Sequence, residues 1–249
     1  LTYPLGIMNN YTENGRYTTA NSGASTFIFD LKRGTKVTVL LREKEKSPHF
    51  KVYMDMWRAS DNSGRPLFIF SSDTATNTME YTAYNDEKII FRFQKEIGNT
   101  GDYFLSLQTG PSLLFPVRSD VKSNIGSLWG EPRDGGARKH EGIDIFAQKG
   151  SPLIAVADGT ISEVSENAIG GKIIYLRPRG TFIRVYYAHL DEQLVQEDSQ
   201  VKAGEVIGRV GNTGNAAFTV SHLHFGIYTN AGIAIDPLLF VKSVKNAFR

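Results

Sequence analysis

The sequence predicts an all-β protein in two parts, a β-sandwich followed by a largely antiparallel β domain with a groove on its surface. Three observations carry that expectation. Short apolar–polar alternations recur along the whole length, Gly, Pro, Asn and Asp clusters separate them, and helical periodicity is nearly absent before Asp236.

In the first half the alternating segments are STFIFDL (25–31), KVTVLL (36–41), FKVYMDMW (50–57), PLFIFSS (66–72), MEYTAY (79–84), KIIFRFQ (88–94) and DYFLSL (102–107). Short strands at this spacing predict an antiparallel sandwich. Side chains alternate faces along a strand, so Ile89, Phe91 and Phe93 share one face and Ile90, Arg92 and Gln94 the other. His49, in the charged run REKEKSPHF, reads as a solvated surface histidine. QTGPSLLFPVRSDVKSN (108–124) then breaks the rhythm with Gly, Pro and Ser, placing a domain boundary near residue 118: residues 1–118 form the sandwich and 119–249 the second domain.

The second half is richer in glycine. GSPLIAVADGTISEV, GGKIIYLRP, FIRVYYAHL, VKAGEVIGRVG and HLHFGIY read as short strands joined by tight turns, which predicts a compact barrel or sandwich hybrid. The tail DPLLFVKSVKNAF is expected to form one turn or a short helix.

Bulk composition narrows the classes. The chain has 249 residues, 41% hydrophobic and 11% aromatic, the composition of a globular protein. Its 28 Lys and Arg stand against 26 Asp and Glu without a basic patch, so the footprint of a nucleic-acid binder is missing. No cysteine means no disulfide, thiolate nucleophile or cysteine-ligated metal. No apolar run has the length of a membrane span. The chain opens at Leu1 and not Met, as expected of a processed or trimmed form.

Four of the five histidines fall in the second half: His140, His189, His222 and His224. In VSHLHFGIY, His222 and His224 point to one face, and Leu223 and Phe225 to the core. In RKHEGIDIF, Asp144 follows His140 by four residues, a spacing that shares a face in a helix or a strand; Gly142, Ile143 and Ile145 favour the extended form. A catalytic zinc site takes three imidazole or carboxylate ligands and leaves one position for water. His140, Asp144 and one member of the HLH pair supply that set. Two neutral imidazoles and one carboxylate leave such a centre positive enough to acidify water, while the remaining histidines handle protons.

HEGID, YYAHL and HLHF, in that order, resemble the lysostaphin and LytM-type zinc endopeptidases, which share an H-x-x-x-D element, a histidine after a Tyr-rich strand and an H-x-H strand. The resemblance runs from about Asn124 to Pro237. It implies a duplicated-hybrid-type β domain, with zinc held by His140, Asp144 and His224 and a catalytic pair of His189 and His222. It also implies export to the periplasm or cell surface and peptidoglycan cross-links as substrate, and it leaves the oligomeric state open. Arg138 stands where basic residues are usual, and the RPRG turn before His189 carries no extra histidine. The first half more faintly resembles small sandwich domains that accompany secreted bacterial peptidases.

Competing readings are weaker. HEGID mimics the start of a helical H-E-x-x-H zinc motif, but Gly142 and its β-branched neighbours oppose a helix, and that reading leaves His189 and HLH idle. Glu141 is then an exposed residue or a support behind the ligands. GRVGNTGNA, with Gly208, Gly211 and Gly214, lacks a phosphate-loop ending and is expected to be a hairpin turn. By strand parity Tyr187 shares the face of His189 and is expected to line the groove, leaving Tyr186 to the core. A non-enzymatic activator of other wall hydrolases is the second functional class, marked in such relatives by lost ligands; this sequence shows none lost. A carrier module is the third, since VADGTISEV and VKAGEVIG resemble biotinyl and lipoyl hairpins, but the modified-lysine tripeptide is missing.

Overall fold

The computed structural model describes residues 2–5, 10–18, 24–44, 51–60, 64–72, 77–96 and 100–242. His49 lies outside the described residues. The chain divides into two compact units, Leu1–Ser112 and Leu113–Arg249. The expected break near residue 118 falls shortly after that division. Leu113 and Leu114 donate to the carbonyls of Phe240 and Val156, and Ile154 donates to Pro116, so this Pro-rich stretch is tied to the second unit.

Among the described residues the first unit has nine strands: β1 (Thr2–Leu5), β2 (Asn10–Tyr17), β3 (Ser25–Leu31), β4 (Thr35–Glu43), β5 (Val52–Arg58), β6 (Leu67–Ser71), β7 (Thr78–Thr82), β8 (Glu87–Lys95) and β9 (Gly101–Pro111). One sheet runs β1-β3-β8-β5-β6 and the other β2-β9-β4-β7. Every pairing is antiparallel except β1 with β3. Inward positions of both sheets, among them Phe27, Phe91, Phe93, Val37, Met56 and Leu105, form one apolar cluster. The alternation of β8 holds, with Ile89, Phe91 and Phe93 fully buried. All seven expected strands form. β1 and β2 were not anticipated, because NYTENGRY alternates polar with polar and carries no apolar stripe.

The second unit contains β10 (Ser123–Ser127), β11 (Pro132–Arg133), β12 (Arg138–Lys139), β13 (Ile143–Ala147), β14 (Pro152–Ile154) and β15 (Gly159–Asn167). It continues with β16 (Gly171–Pro178), β17 (Ile183–Gln193), β18 (Gln200–Val201), β19 (Val206–Val210), β20 (His222–Thr229), β21 (Ala234–Ile235) and the one-turn helix α1 (Leu238–Val241). The main sheet runs β10-β13-β20-β17-β16-β15-β18, with β19 joining β14 to β17. Ile145, Leu223, Phe225, Val185 and Leu190 fill its inner face. No helix among the described residues is long and apolar enough to cross a membrane.

One turn differs from expectation. Gly211 and Gly214 do not close a tight hairpin, because β19 pairs with β14 and β17 and touches β20 only through the bridge Gly211–His222. The residues between form a loop containing a 3-10 turn at Gly214–Ala216. Its backbone packs against the turn before β16, where Asn215 N–H donates to Ile169 at 3.1 Å.

Candidate metal centre

The main sheet brings two of the candidate residues together by register alone. Asp144 on β13 lies opposite His224 on β20, which on its other side lies opposite Ala188 on β17. Directly opposed Cβ atoms sit about 4.5–5.5 Å apart, within reach of a carboxylate and an imidazole.

His140 arrives by a different route. It follows the short hairpin β11–β12; its N–H donates to Glu131 at 2.8 Å and its carbonyl accepts from Gly130 at 2.9 Å. No helix spans 138–147, as the extended reading required. Gly142 allows the chain to pass close against β20. A Cβ there would lie 2.6 Å from the Phe225 carbonyl oxygen and 2.8 Å from the His224 ring.

His140 Nε2, Asp144 Oδ1 and His224 Nδ1 form a triangle with all three sides 3.0 Å. His140 Nδ1 donates to the Leu128 carbonyl at 2.8 Å, so in the neutral ring Nε2 presents a lone pair. That lone pair faces a carboxylate oxygen. A proton bridges one edge of such a triangle at a time, whereas a metal ion bridges all three corners. Ligands about 2.0–2.1 Å from a tetrahedral centre lie roughly 3.3 Å from each other, close to these sides. The donor set of two imidazoles and one carboxylate fits zinc chemistry, and among the described residues these atoms are close enough to hold a metal ion.

Electrostatics agree with the geometry. Burial works to raise the Asp144 carboxyl, but the hydrogen bonds and charges of His140 and His224 outweigh it and hold the group far below the usual carboxylate range. Burial pushes His224 down against the pull of Asp144. Both effects favour a carboxylate and a neutral imidazole, the forms that ligate metals.

His189 and His222 stand beside this triangle, with their ring centroids 5.0 Å apart and that of His189 6.0 Å from His224. Each donates Nδ1–H to a backbone carbonyl, His189 to Thr213 at 3.0 Å and His222 to Val220 at 2.8 Å. In the neutral ring this leaves Nε2 as the basic nitrogen of both. Burial first, then the neighbouring His222 and His224, lowers His189 to about 4, so the ring is neutral at pH 7.

The backbone at His189 has φ 63, the left-handed region that costs a non-glycine residue about 1–3 kcal/mol. Its N–H donates to Gly170 at 2.7 Å. Thr213 is itself fixed, since its Oγ1 accepts from Lys172 N–H and donates to the Leu190 carbonyl. This turn overturns the parity expectation for the tyrosines. Ala188 and Tyr186 lie on the His224 face and Tyr187 opposite Phe225, so simple alternation would send His189 to the core. The left-handed residue swings it to the cleft instead. Tyr187 is fully buried, donating to Ile154 and accepting from Val156, and Tyr186 lines the cleft.

The cleft encloses about 580 Å³. Tyr175, Tyr186 and Tyr228 wall it together with Arg138, Lys139 and Glu141, and Glu141 is exposed. Sequence reasoning missed Arg133, which donates to Asp144 Oδ2 at 2.9 Å. The signal was present in PRDGGARK, two short arms around a Gly-Gly turn, which set Arg133 opposite Arg138.

Comparison with known proteins bears on this geometry. Residues 138–237 match the model of Peptidase family M23. Over 144 residues the chain is 36% identical to Peptidoglycan DD-endopeptidase ShyC of Vibrio cholerae, covering 56% of this chain and 32% of that protein. It is 35% identical over 125 residues to the L-Ala--D-Glu endopeptidase of Bacillus subtilis, covering 47% of this chain and 37% of that one. Over 124 residues it is 34% identical to the murein hydrolase activator NlpD of Salmonella typhimurium, covering 46% and 32%. The chain thus spans about a third of the length of these relatives. With its ligand-type residues at the register just described, the second unit carries a Peptidase family M23 domain over residues 138–237.

Proposed function

We propose that the second unit is a zinc-dependent endopeptidase that hydrolyses peptide cross-links of bacterial peptidoglycan, and that the protein works outside the cytoplasm, in the periplasm or at the cell surface. The observation that carries this reading is the triangle of His140, Asp144 and His224 with two further imidazoles beside it, each presenting Nε2. The names of two relatives, a DD-endopeptidase and an L-Ala--D-Glu endopeptidase, support the substrate class.

His140, Asp144 and His224 would hold the zinc, which when bound supplies a Lewis acid that polarises the peptide carbonyl and acidifies water. His189 and His222 act at Nε2. One accepts the proton released as water adds to the carbonyl carbon, and a proton reaches the departing amide nitrogen as its bond to carbon breaks. Their Nδ1–H bonds to Thr213 and Val220 hold the rings in the orientation and tautomer this requires. The tyrosine wall shields one side of the reacting bond from solvent.

The similarity to NlpD favours a second reading, an activator of other wall hydrolases with no chemistry of its own. The full set of five metal-type and catalytic-type side chains argues for the enzyme. Purified protein loaded with zinc should release soluble fragments from cell-wall sacculi and stop when a chelator is added. Sacculi left intact by the zinc-loaded protein, but digested when a second hydrolase is supplied, would select the activator.

A further inference from the structure

The two oxygens of Asp144 are divided between two tasks. Oδ1 faces His140 Nε2 and His224 Nδ1, while Oδ2 accepts from the Arg133 guanidinium at 2.9 Å. Arg133 also donates to Ser127 Oγ and lies 3.8 Å from Glu131. Ser127 Oγ donates to Glu131 Oε2 at 2.7 Å and sits 3.4 Å from His140 Nδ1. One guanidinium therefore touches the carboxylate directly and reaches the His140 ring through a single hydroxyl. The hairpin that presents it runs on into His140: β11 and β12 pair Arg133 with Arg138, glycines at φ 68 and φ 99 close the turn, and His140 N–H continues the ladder to Glu131.

A carboxylate grips a cation through one oxygen or both. A guanidinium nitrogen on Oδ2 occupies that oxygen and removes the second option. We propose that Arg133 is a positioning residue that makes Asp144 a one-oxygen ligand and aligns it with His140, so that the hairpin 132–139 sets the coordination number of the metal. This rests on the metal reading above. Arg133 is partly exposed, and ion pairs of that kind contribute little to folding. Partners that orient metal ligands, by contrast, typically change affinity by about 10–100-fold.

The test uses the full chain as wild type, Arg133→Gln and Arg133→Lys. Zinc affinity is measured by chelator competition, the visible absorption is recorded with cobalt(II) in place of zinc, and the metal-free melting temperature is taken for each. Arg133→Gln should bind zinc about 10–100-fold more weakly with an unchanged melting temperature. Its cobalt band should weaken, as expected when both Asp144 oxygens engage and coordination rises above four. Arg133→Lys should recover part of the affinity, since it restores the charge but not the planar guanidinium that touches Asp144 and Ser127 together. Wild-type affinity and spectrum in Arg133→Gln would overturn the proposal, as would an affinity loss that only accompanies a fallen melting temperature. Should Arg133→Gln fail to fold, Arg133→Lys decides alone: a native melting temperature with an altered cobalt band supports the role, and an unaltered band refutes it. A wild type that binds neither metal would instead remove the metal reading itself.

Discussion

The first unit buries phenylalanine and methionine where the second buries histidine and aspartate. In the sandwich, Phe27, Phe91, Phe93, Met54 and Met56 fill the space between the sheets, and charged pairs such as Lys88–Asp30 stay outside. In the second unit, His140, Asp144, His189 and His222 are all less than a tenth exposed, next to an ordinary core of Ile, Leu and Val. Burying polar groups costs free energy unless partners compensate. Among the described residues the first unit buries only Lys95 and Ser106 of this kind, whereas the second gathers most of its buried polar groups at the site and offsets the cost with backbone carbonyls, an arginine and neighbouring imidazoles. The contrast sets the candidate metal centre apart from the rest of the molecule.

The strongest way to break this comparison is to remove a corner of the triangle. Asp144→Ala or His224→Ala should abolish measurable zinc binding and bring sacculus digestion to background, read by metal analysis and fragment release. Full zinc content in either variant would mean the triangle is a buried polar cluster with no metal role. Removing a proton carrier separates the roles further. His189→Ala or His222→Ala should keep zinc yet lower the rate by about 100-fold or more. If zinc content follows the opposite pattern, the two pairs of histidines have been assigned the wrong way round.

The core of the first unit gives the converse case. Phe91→Ala removes a fully buried ring and should destabilise the sandwich by about 3–5 kcal/mol in denaturant titration. Zinc affinity should stay at the wild-type value, because none of its determinants lies there. A matching fall in metal affinity would show that the two units do not divide stability and chemistry between them.

Much of this was legible because β-strands have period two. The alternation of KIIFRFQ gave its buried face, and that of HLH placed two imidazoles on one side. Asp144 and His140 were found as residue types, but their meeting with His224 depended on the β13–β20 register, which one strand alone does not specify. The failures lie where the backbone leaves the regular pattern. Left-handed His189 inverted the roles of Tyr186 and Tyr187. The loop after β19 read as a hairpin because its glycines resemble turn residues, when they serve close backbone approach, as at Gly211 against Asp191 N. Arg133 was missed because a charge on a short hairpin looks like solvated surface until its partner is known.

Gly142 sharpens the comparison at a smaller scale. Gly142→Ala should cost about 1–3 kcal/mol by overpacking, because its Cβ meets fixed Phe225 backbone as well as the His224 ring. The same change should weaken zinc binding by displacing that ring. Native affinity with normal stability would mean the two strands separate easily and the site is loosely held.

The smallest expected effect concerns charge on the outside of both units. Lys88 pairs with Asp30 at 3.0 Å in the first unit and Lys149 with Asp191 at 3.1 Å in the second, all four side chains well exposed. Water screens such pairs and their side chains lose freedom in forming them, so Lys88→Ala and Lys149→Ala should each change stability by less than about 1 kcal/mol. Equality matters more here than size. If the Lys149 pair proved several times stronger, an ionic network would extend from the second unit's interior to its surface. The contrast between the units would then lie in their charges as a whole, and no longer in four buried side chains.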